Sequence, residues 1–169
     1  IKQTQLIMIE SEPHVNNAVE RPPVPEKYDH FIGGQWVAPS SGDYFDNISP
    51  IDGKPFCKAA RGNADDINKA LDAAHAAFPS WSKTAVATRS KMLLDIADIM
   101  EQNLEMLARL ETVDNGKALR ETRAADLPLS IDHFRYFAGV IRGEESTISE
   151  HDEHTVSINL REPIGVVGQ

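Results

Sequence analysis

The run Ile164-Gly165-Val166-Val167-Gly168 is apolar throughout, with no polar alternation, and suits a strand buried on both faces. Such a strand needs neighbours on either side and crossover helices to connect them. Here it stands at the end of 169 residues. The expectation is therefore an α/β fold that is incomplete as written, with no solenoid-type repeat to supply the missing layers.

The preceding chain falls into segments of different period. Residues 1–27 carry Pro13 and Arg21-Pro22-Pro23-Val24-Pro25 without apolar periodicity, and they read as an extended arm. From Phe31 the pattern is that of strands. Phe31-Ile32 and Gln35-Trp36-Val37 flank Gly33-Gly34, a tight hairpin with glycines where positive φ is needed. Tyr44 to Ser49 and Pro55 to Ala60 follow, joined through the turn pair Asp52-Gly53, and an antiparallel edge assembly is expected.

At Asn63 the period becomes helical. Asn63 caps a first helix with Asp65 and Asp66 in its first turn, a face of Ile67, Leu71, Ala74 and Phe78, and an end at Pro79. A second helix is predicted over Val86 to Gln102, burying Leu93, Ile96, Ala97 and Met100. Asn103 caps a third, which Gly116 stops, and the three are expected to form a bundle-like layer. A fourth helical region spans roughly Ala118 to Ile141, kinked or split at Leu127 by Pro128. Alternation then returns: Ser146 to Ser149 and Thr155 to Leu160 flank His151-Asp152-Glu153-His154, a second hairpin.

Composition removes several function classes. With 41% hydrophobic and 25% charged residues the chain has the material for a core. A net charge of −9 argues against nucleic acid, whose binding modules cluster Lys and Arg. Leu6-Ile7-Met8-Ile9 is too short for a signal-peptide core or a membrane span, so a soluble cytoplasmic protein with no membrane partner is expected. Cys57 is the single cysteine, which excludes an internal disulfide. Its strand context reads as a small buried side chain. His151 and His154 lack further ligands and read as a solvated loop rather than a zinc site. Gly165 and Gly168 do not form the dinucleotide fingerprint.

Four stretches, in this order and spacing, carry a resemblance to the N-terminal portion of the aldehyde dehydrogenase superfamily. They are Phe31-Ile32-Gly33-Gly34-Gln35-Trp36-Val37, Asn47-Ile48-Ser49-Pro50, Glu111-Thr112-Val113-Asp114-Asn115-Gly116-Lys117 and Arg161-Glu162-Pro163-Ile164-Gly165-Val166-Val167-Gly168-Gln169. Asp132-His133-Phe134-Arg135-Tyr136-Phe137-Ala138-Gly139 looks most like the bacterial acetaldehyde dehydrogenase subgroup.

The resemblance implies a Rossmann-like cofactor domain, a catalytic domain and a β-hairpin arm crossing between subunits. On that basis residues 1–27 are the extended arm and 28–143 the first strands and helices of the cofactor domain. Residues 144–162 are the hairpin of the oligomerisation arm, and 163–169 open the cofactor sheet. The implied activity is NAD- or NADP-dependent oxidation of a small aldehyde, acetaldehyde by the subgroup likeness, to a carboxylic acid through a cysteine thiohemiacetal. The implied partner is a second copy met through the hairpin arm. The family's oxyanion asparagine, cofactor lysine, glutamate base and cysteine nucleophile have no counterpart in this sequence. No catalytic or cofactor-binding residue is therefore assigned, and neither turnover nor cofactor binding is expected of these 169 residues alone.

Two weaker correspondences remain. Leu129 resembles a position lining the aldehyde-entry channel, with Phe134 and Phe137 as neighbours on the helical period. By residue type alone this stripe reads as core. Asp114, with the backbone oxygen of Ile48, resembles a monovalent-cation site. By residue type alone Asp114 is a carboxylate near a helix end. The alternative to an enzyme is an interaction module that joins full-length subunits through the hairpin, since exposed strand edges pair readily.

Overall fold

The structure, a computed structural model, describes residues 19–169. Expectations for Leu6 to Ile9 and for the arm around Pro13 lie outside the described residues. The architecture is mixed α/β, with three small sheets and a helical layer.

Strand β1 (Lys27–Tyr28) pairs in parallel with β5 (Pro55–Ala60), which pairs antiparallel with β4 (Tyr44–Ile48), giving the order β1-β5-β4. The sheet is thus mixed rather than purely antiparallel. Lys27, read from sequence as the end of the extended arm, pairs with Lys58. A two-residue strand has no periodicity to read, so only its partner reveals it. The hairpin of β2 (His30–Ile32) and β3 (Gln35–Val37) turns on Gly33 and Gly34, at φ of 59° and 80°. Both signs are those of the turn that matches strand twist.

A bulge at Asn47/Ile48 shifts the register of the β4–β5 ladder before its last pair, Ile48 with Pro55. Beyond it Ser49 donates its amide to Lys54 O at 3.0 Å and its hydroxyl to Val113 O at 2.7 Å. Ser49 is buried, so one side chain fixes the sheet to the helical layer.

Helix α1 (Ala64–Trp81) begins with a capping box. Asn63 accepts from the amides of Asp65 and Asp66, and Asp66 returns a bond to the Asn63 amide. The helix runs past Pro79 to Trp81. A proline in the last turn removes one amide donor, and Ser82 still closes on Phe78 O at 2.9 Å. The expected apolar face does not form its core contact, since Ile67 and Leu71 are exposed and Asp66 is the buried residue. Helix α1 touches β2, and the expected three-helix layer is not seen.

The helical core instead joins α2 (Val86–Gln102) to α5 (Leu127–Val140). Ala97 and Ala138 are enclosed, Leu93 and Met100 are half-buried, and Ile96, expected inside, is exposed. Asn103 does not cap α3 (Leu104–Asn115) with its side chain. It donates to Ile99 O at 2.8 Å and so closes the end of α2. Gly116 ends α3 in the left-handed region as expected.

The fourth helical region changes type next to Pro128 without a break in the helix, and α5 begins at Leu127. Helix α4 (Leu119–Glu121) passes through a π-helical turn (Thr122–Asp126) directly into α5. Leu127 bonds back to Thr122 O. The extra residue of a π turn shifts the carbonyl ladder just where Pro128 has no amide to offer. Inside this turn the buried Thr122 hydroxyl lies 3.0 Å from that of Thr112 and donates to Ala108 O, tying the turn to α3.

The second hairpin forms, with β6 (Thr147–Asp152) longer than expected and β7 (Thr155–Asn159) one residue shorter. Its turn is only Glu153-His154, and a bulge lies between Glu150 and Asp152. The segment from Ile164 to Val167, expected as a buried strand, forms no ladder here. Ile164 is 94% exposed and Val167 72%. A strand is defined by its partners, and no described strand lies beside this one.

Candidate functional site

Three surfaces carry the residues singled out by sequence. The first is the junction of β4, β5 and α3. Asn47 and Cys57 are cross-strand partners, and the Asn47 amide donates to Asp114 Oδ1 at 2.7 Å. The Cys57 thiol is buried; that burial pushes its pKa up, against the Asn47 hydrogen bond that lowers it, and the Asp114 charge raises it further. A buried thiol with a raised pKa is a poor nucleophile. Beside it lies a cavity of about 450 Å³ walled by Val24, Tyr28, Cys57, Leu107, Leu110 and Leu127, with Asp114 and Glu111 also lining it.

The cation-site expectation places Asp114 with the backbone oxygen of Ile48. One Asp114 oxygen is engaged by Asn47, and Ile48 follows the bulge and pairs with Pro55. Among the described residues no group of three or more His, Cys, Asp or Glu is placed to hold a metal ion. Asp114 can therefore contribute one carboxylate ligand, and any others would be backbone or solvent oxygens.

The second surface is the outer face of α5. Its inner face, through Leu127, Ile131 and Ala138, is buried. Leu129 is 56% exposed and Phe137 53% exposed, while Phe134 is half-buried. Leu129 and Phe137 are thus not enclosed by the described residues, and with Tyr136 and Val140 they form an apolar stripe on the surface of this chain. Spacing marks a helix as two-sided but does not say which apolar side meets the body of the protein.

The third surface is the β6–β7 hairpin. Ile148 pairs with Ile158 and Glu150 with Val156, while Thr147, Ser149, Ser157 and Asn159 occupy the alternate positions. One face is therefore mostly apolar and the other polar. Ile148, Val156, Ile158 and Leu160 are all exposed. His151 lies within β6 and His154 in the turn, where its imidazole contacts Glu153 at 3.3 Å.

The segment holding Gly165 and Gly168 has no strand pairing among the described residues. No chemical step through NAD or NADP is assigned to these residues.

One cluster was missed in the sequence. Buried Asp66 accepts from the Ser40 amide at 2.9 Å and the Ser40 hydroxyl at 2.6 Å. His30 Nε2 lies 3.7 Å away and Lys69 Nζ 3.9 Å. The Ser40 hydrogen bonds, foremost, hold the Asp66 carboxyl below the usual carboxylate range against its burial; the Asn63 amide and His30 act in the same direction. The sequence marks Asn63 as a cap with Asp66 in the first turn, but no sequence rule places Ser40 beside Asp66.

The model of the aldehyde dehydrogenase family matches residues 36–169. An aldehyde dehydrogenase of Deinococcus radiodurans is 63% identical over 144 residues, covering 85% of this chain and 28% of the relative. A long-chain-aldehyde dehydrogenase of an Acinetobacter species is 62% identical, covering 85% and 29%. The chain thus spans less than a third of the length of these relatives. Among solved structures, the P. syringae indole-3-acetaldehyde dehydrogenase in complex with NAD+ aligns with a TM-score of 0.80 at 32% identity, covering 87% of this chain and 30% of that one. The aldehyde dehydrogenase KauB of Pseudomonas aeruginosa aligns with a TM-score of 0.80 at 30% identity, covering 84% and 29%. No helix among the described residues is long and apolar enough to cross a membrane. With the family model matched from Trp36 to Gln169 and relatives above 60% identity, this chain belongs to the aldehyde dehydrogenase family.

Proposed function

We propose that the protein carrying this chain is an NAD(P)-dependent aldehyde dehydrogenase that oxidises a small aldehyde, acetaldehyde in the first instance, to its carboxylic acid. The nucleophile, base and cofactor contacts are assigned to residues other than these 169, so this segment by itself is expected to be inactive. Residues 28–143 form the opening of the cofactor domain, 144–162 the oligomerisation arm and 163–169 the first strand of the cofactor sheet.

The observation that carries this reading is the apolar outer face of α5 in a chain of this family. Leu129 and Phe137 are held on a helix with about half of their surface left uncovered by this chain, which is the arrangement expected of a channel wall. Phe134, at the margin of that face, completes the wall. Asp114, with the Ile48 backbone oxygen, is assigned to a monovalent-cation position. The test is aldehyde-dependent formation of NADH by the full protein, with its intact mass measured on the same sample. Turnover by a protein much heavier than 18.7 kDa supports the reading. A heavy protein that reduces neither NAD nor NADP with any short aldehyde overturns it.

The second reading, an interaction module, draws on the apolar face of β6–β7. In it the hairpin joins full-length subunits without chemistry of its own. A protein with the mass of this chain that co-sediments with the full-length enzyme, and loses that association in Ile158→Lys, favours it.

A further inference from the structure

Thr122 and the inner face of α5 are buried together, which an unbroken α-helix would not allow. At 3.6 residues per turn successive side chains stand about 100° apart, so Leu127, Ile131 and Ala138 would lie roughly 140° to 180° round the axis from Thr122. Leu129 and Val140 would instead fall within about 20° of Thr122, on the side that meets α3. The π turn takes up one extra residue, because the Leu127 amide reaches back to Thr122 O. Everything after it is turned by about 100°. Leu127, Ile131 and Ala138 then stand roughly 40° to 80° from Thr122 and are buried with it. Leu129 and Val140 are carried to the outer face, where they are 56% and 43% exposed.

Single π turns inside α-helices are rare and frequently mark functional sites. This one is held by two hydroxyls from different helices. Thr122 Oγ1 lies 3.0 Å from Thr112 Oγ1, with Ala108 O at 3.0 Å and Leu119 O at 3.2 Å as its acceptors. A hydroxyl has one proton to give, so when Thr122 donates to Ala108 the proton between the two threonines comes from Thr112. Thr112, Thr122 and Ala108 are each 2% exposed or less. An enclosed, satisfied network of this kind fixes one geometry.

We infer that the Thr112–Thr122 pair is a positioning device for substrate selection: it pins the π turn to α3, sets the helical phase of α5, and so presents Leu129 and Phe137 to the aldehyde. This rests on the reading of the outer face of α5 as the channel wall. Thr122 is a positioning residue, enclosed away from the aldehyde and acting through the side chains it turns outward. Without its hydroxyl the phase is no longer fixed, and the wall shifts. A bulky aldehyde, which fills the channel, feels that shift more than a short one.

The test is kcat/KM of the full protein for a short and a bulky aldehyde, read as their ratio. Thr122→Val keeps the shape and removes the hydroxyl, and is expected to change the ratio about tenfold, mainly through KM of the bulky aldehyde. Thr122→Ser keeps the hydroxyl and is expected to retain the parent ratio. Thr112→Val is expected to move the ratio in the same direction by less, and it carries the test if Thr122→Val does not fold. Ser40→Ala, which weakens the Asp66 cluster at the start of α1, is the control. If, at a matched loss of thermal stability, it changes the ratio as much, general softening is the cause and the inference is overturned. An unchanged ratio in both threonine variants, with a changed one in Leu129→Ala or Phe137→Ala, overturns the inference and leaves the channel reading standing. No change in either Leu129→Ala or Phe137→Ala removes the channel reading, and this inference with it.

Discussion

The Ser90 hydroxyl donates to the Ala138 carbonyl at 2.7 Å, with both residues buried, and so fastens the first turn of α2 to the last turn of α5. Replacing Ser90 with Ala leaves that carbonyl without its side-chain donor in an enclosed place. The expected cost is about 1–3 kcal/mol, seen as a lower midpoint in thermal unfolding. An unchanged midpoint would show that water replaces the hydroxyl.

Asp66 should make the stability of this region acid-sensitive. Its carboxyl titrates below the ordinary aspartate value of 3.8, mainly because Ser40 hydrogen-bonds the charged form. A lowered folded-state pKa contributes stability that is full above the unfolded value and is lost as pH falls through the folded one. Melting temperature should therefore drop more steeply below about pH 4 in the parent than in Asp66→Asn. Parallel acid profiles for the two proteins would contradict this assignment.

Gly116 stands at φ 81°, and a Cβ added there would come within 2.8 Å of Pro50 Cγ. Both the backbone and the contact oppose substitution, so Gly116→Ala should destabilise by more than about 1 kcal/mol. Denaturant unfolding, with its slope unchanged, is the measurement. A neutral result would require the turn after α3 to move away from Pro50.

Phe137 separates packing from recognition. Being about half exposed, its change to Ala should alter stability by less than that of a buried aromatic. If the outer face of α5 lines the aldehyde channel, kcat/KM of the full enzyme should change by tenfold or more for at least one of a short and a bulky aldehyde, about 1–3 kcal/mol. Equal, small effects on both aldehydes would remove Phe137 from the channel.

Much of the element order was readable from residue spacing. The Gly33-Gly34 turn, the limits of α2 and the stop at Gly116 each rest on local chemistry that a sequence carries directly. What spacing could not supply was the partner of each face. Ile67 and Leu71 repeat at helical intervals as core residues do, yet α1 is anchored through Asp66 and leaves them in solvent. Lys27 and Tyr28 form a strand only because β5 lies beside them. Pro128 announced a change at Leu127, but not the π-helical turn before it, whose Thr122 is held by Thr112 and Ala108 in a different helix. For the site, Leu129, Phe134 and Phe137 were legible as a group through family likeness. Their exposure, on which any channel role depends, was not.

The β6–β7 hairpin has a consequence for how the protein matures. Both strands are exposed along nearly their whole length, with Ser157 alone half-covered. An isolated pair of strands is marginal in water. If a second copy covers the hairpin, as proposed above, its order should follow mass action: dilute chains would hold it frayed, and a higher concentration of like chains would set it. Its formation would then be a bimolecular event, completed after the helical layer has closed, so that the rate of acquiring the last β-structure should scale with the amount of protein present.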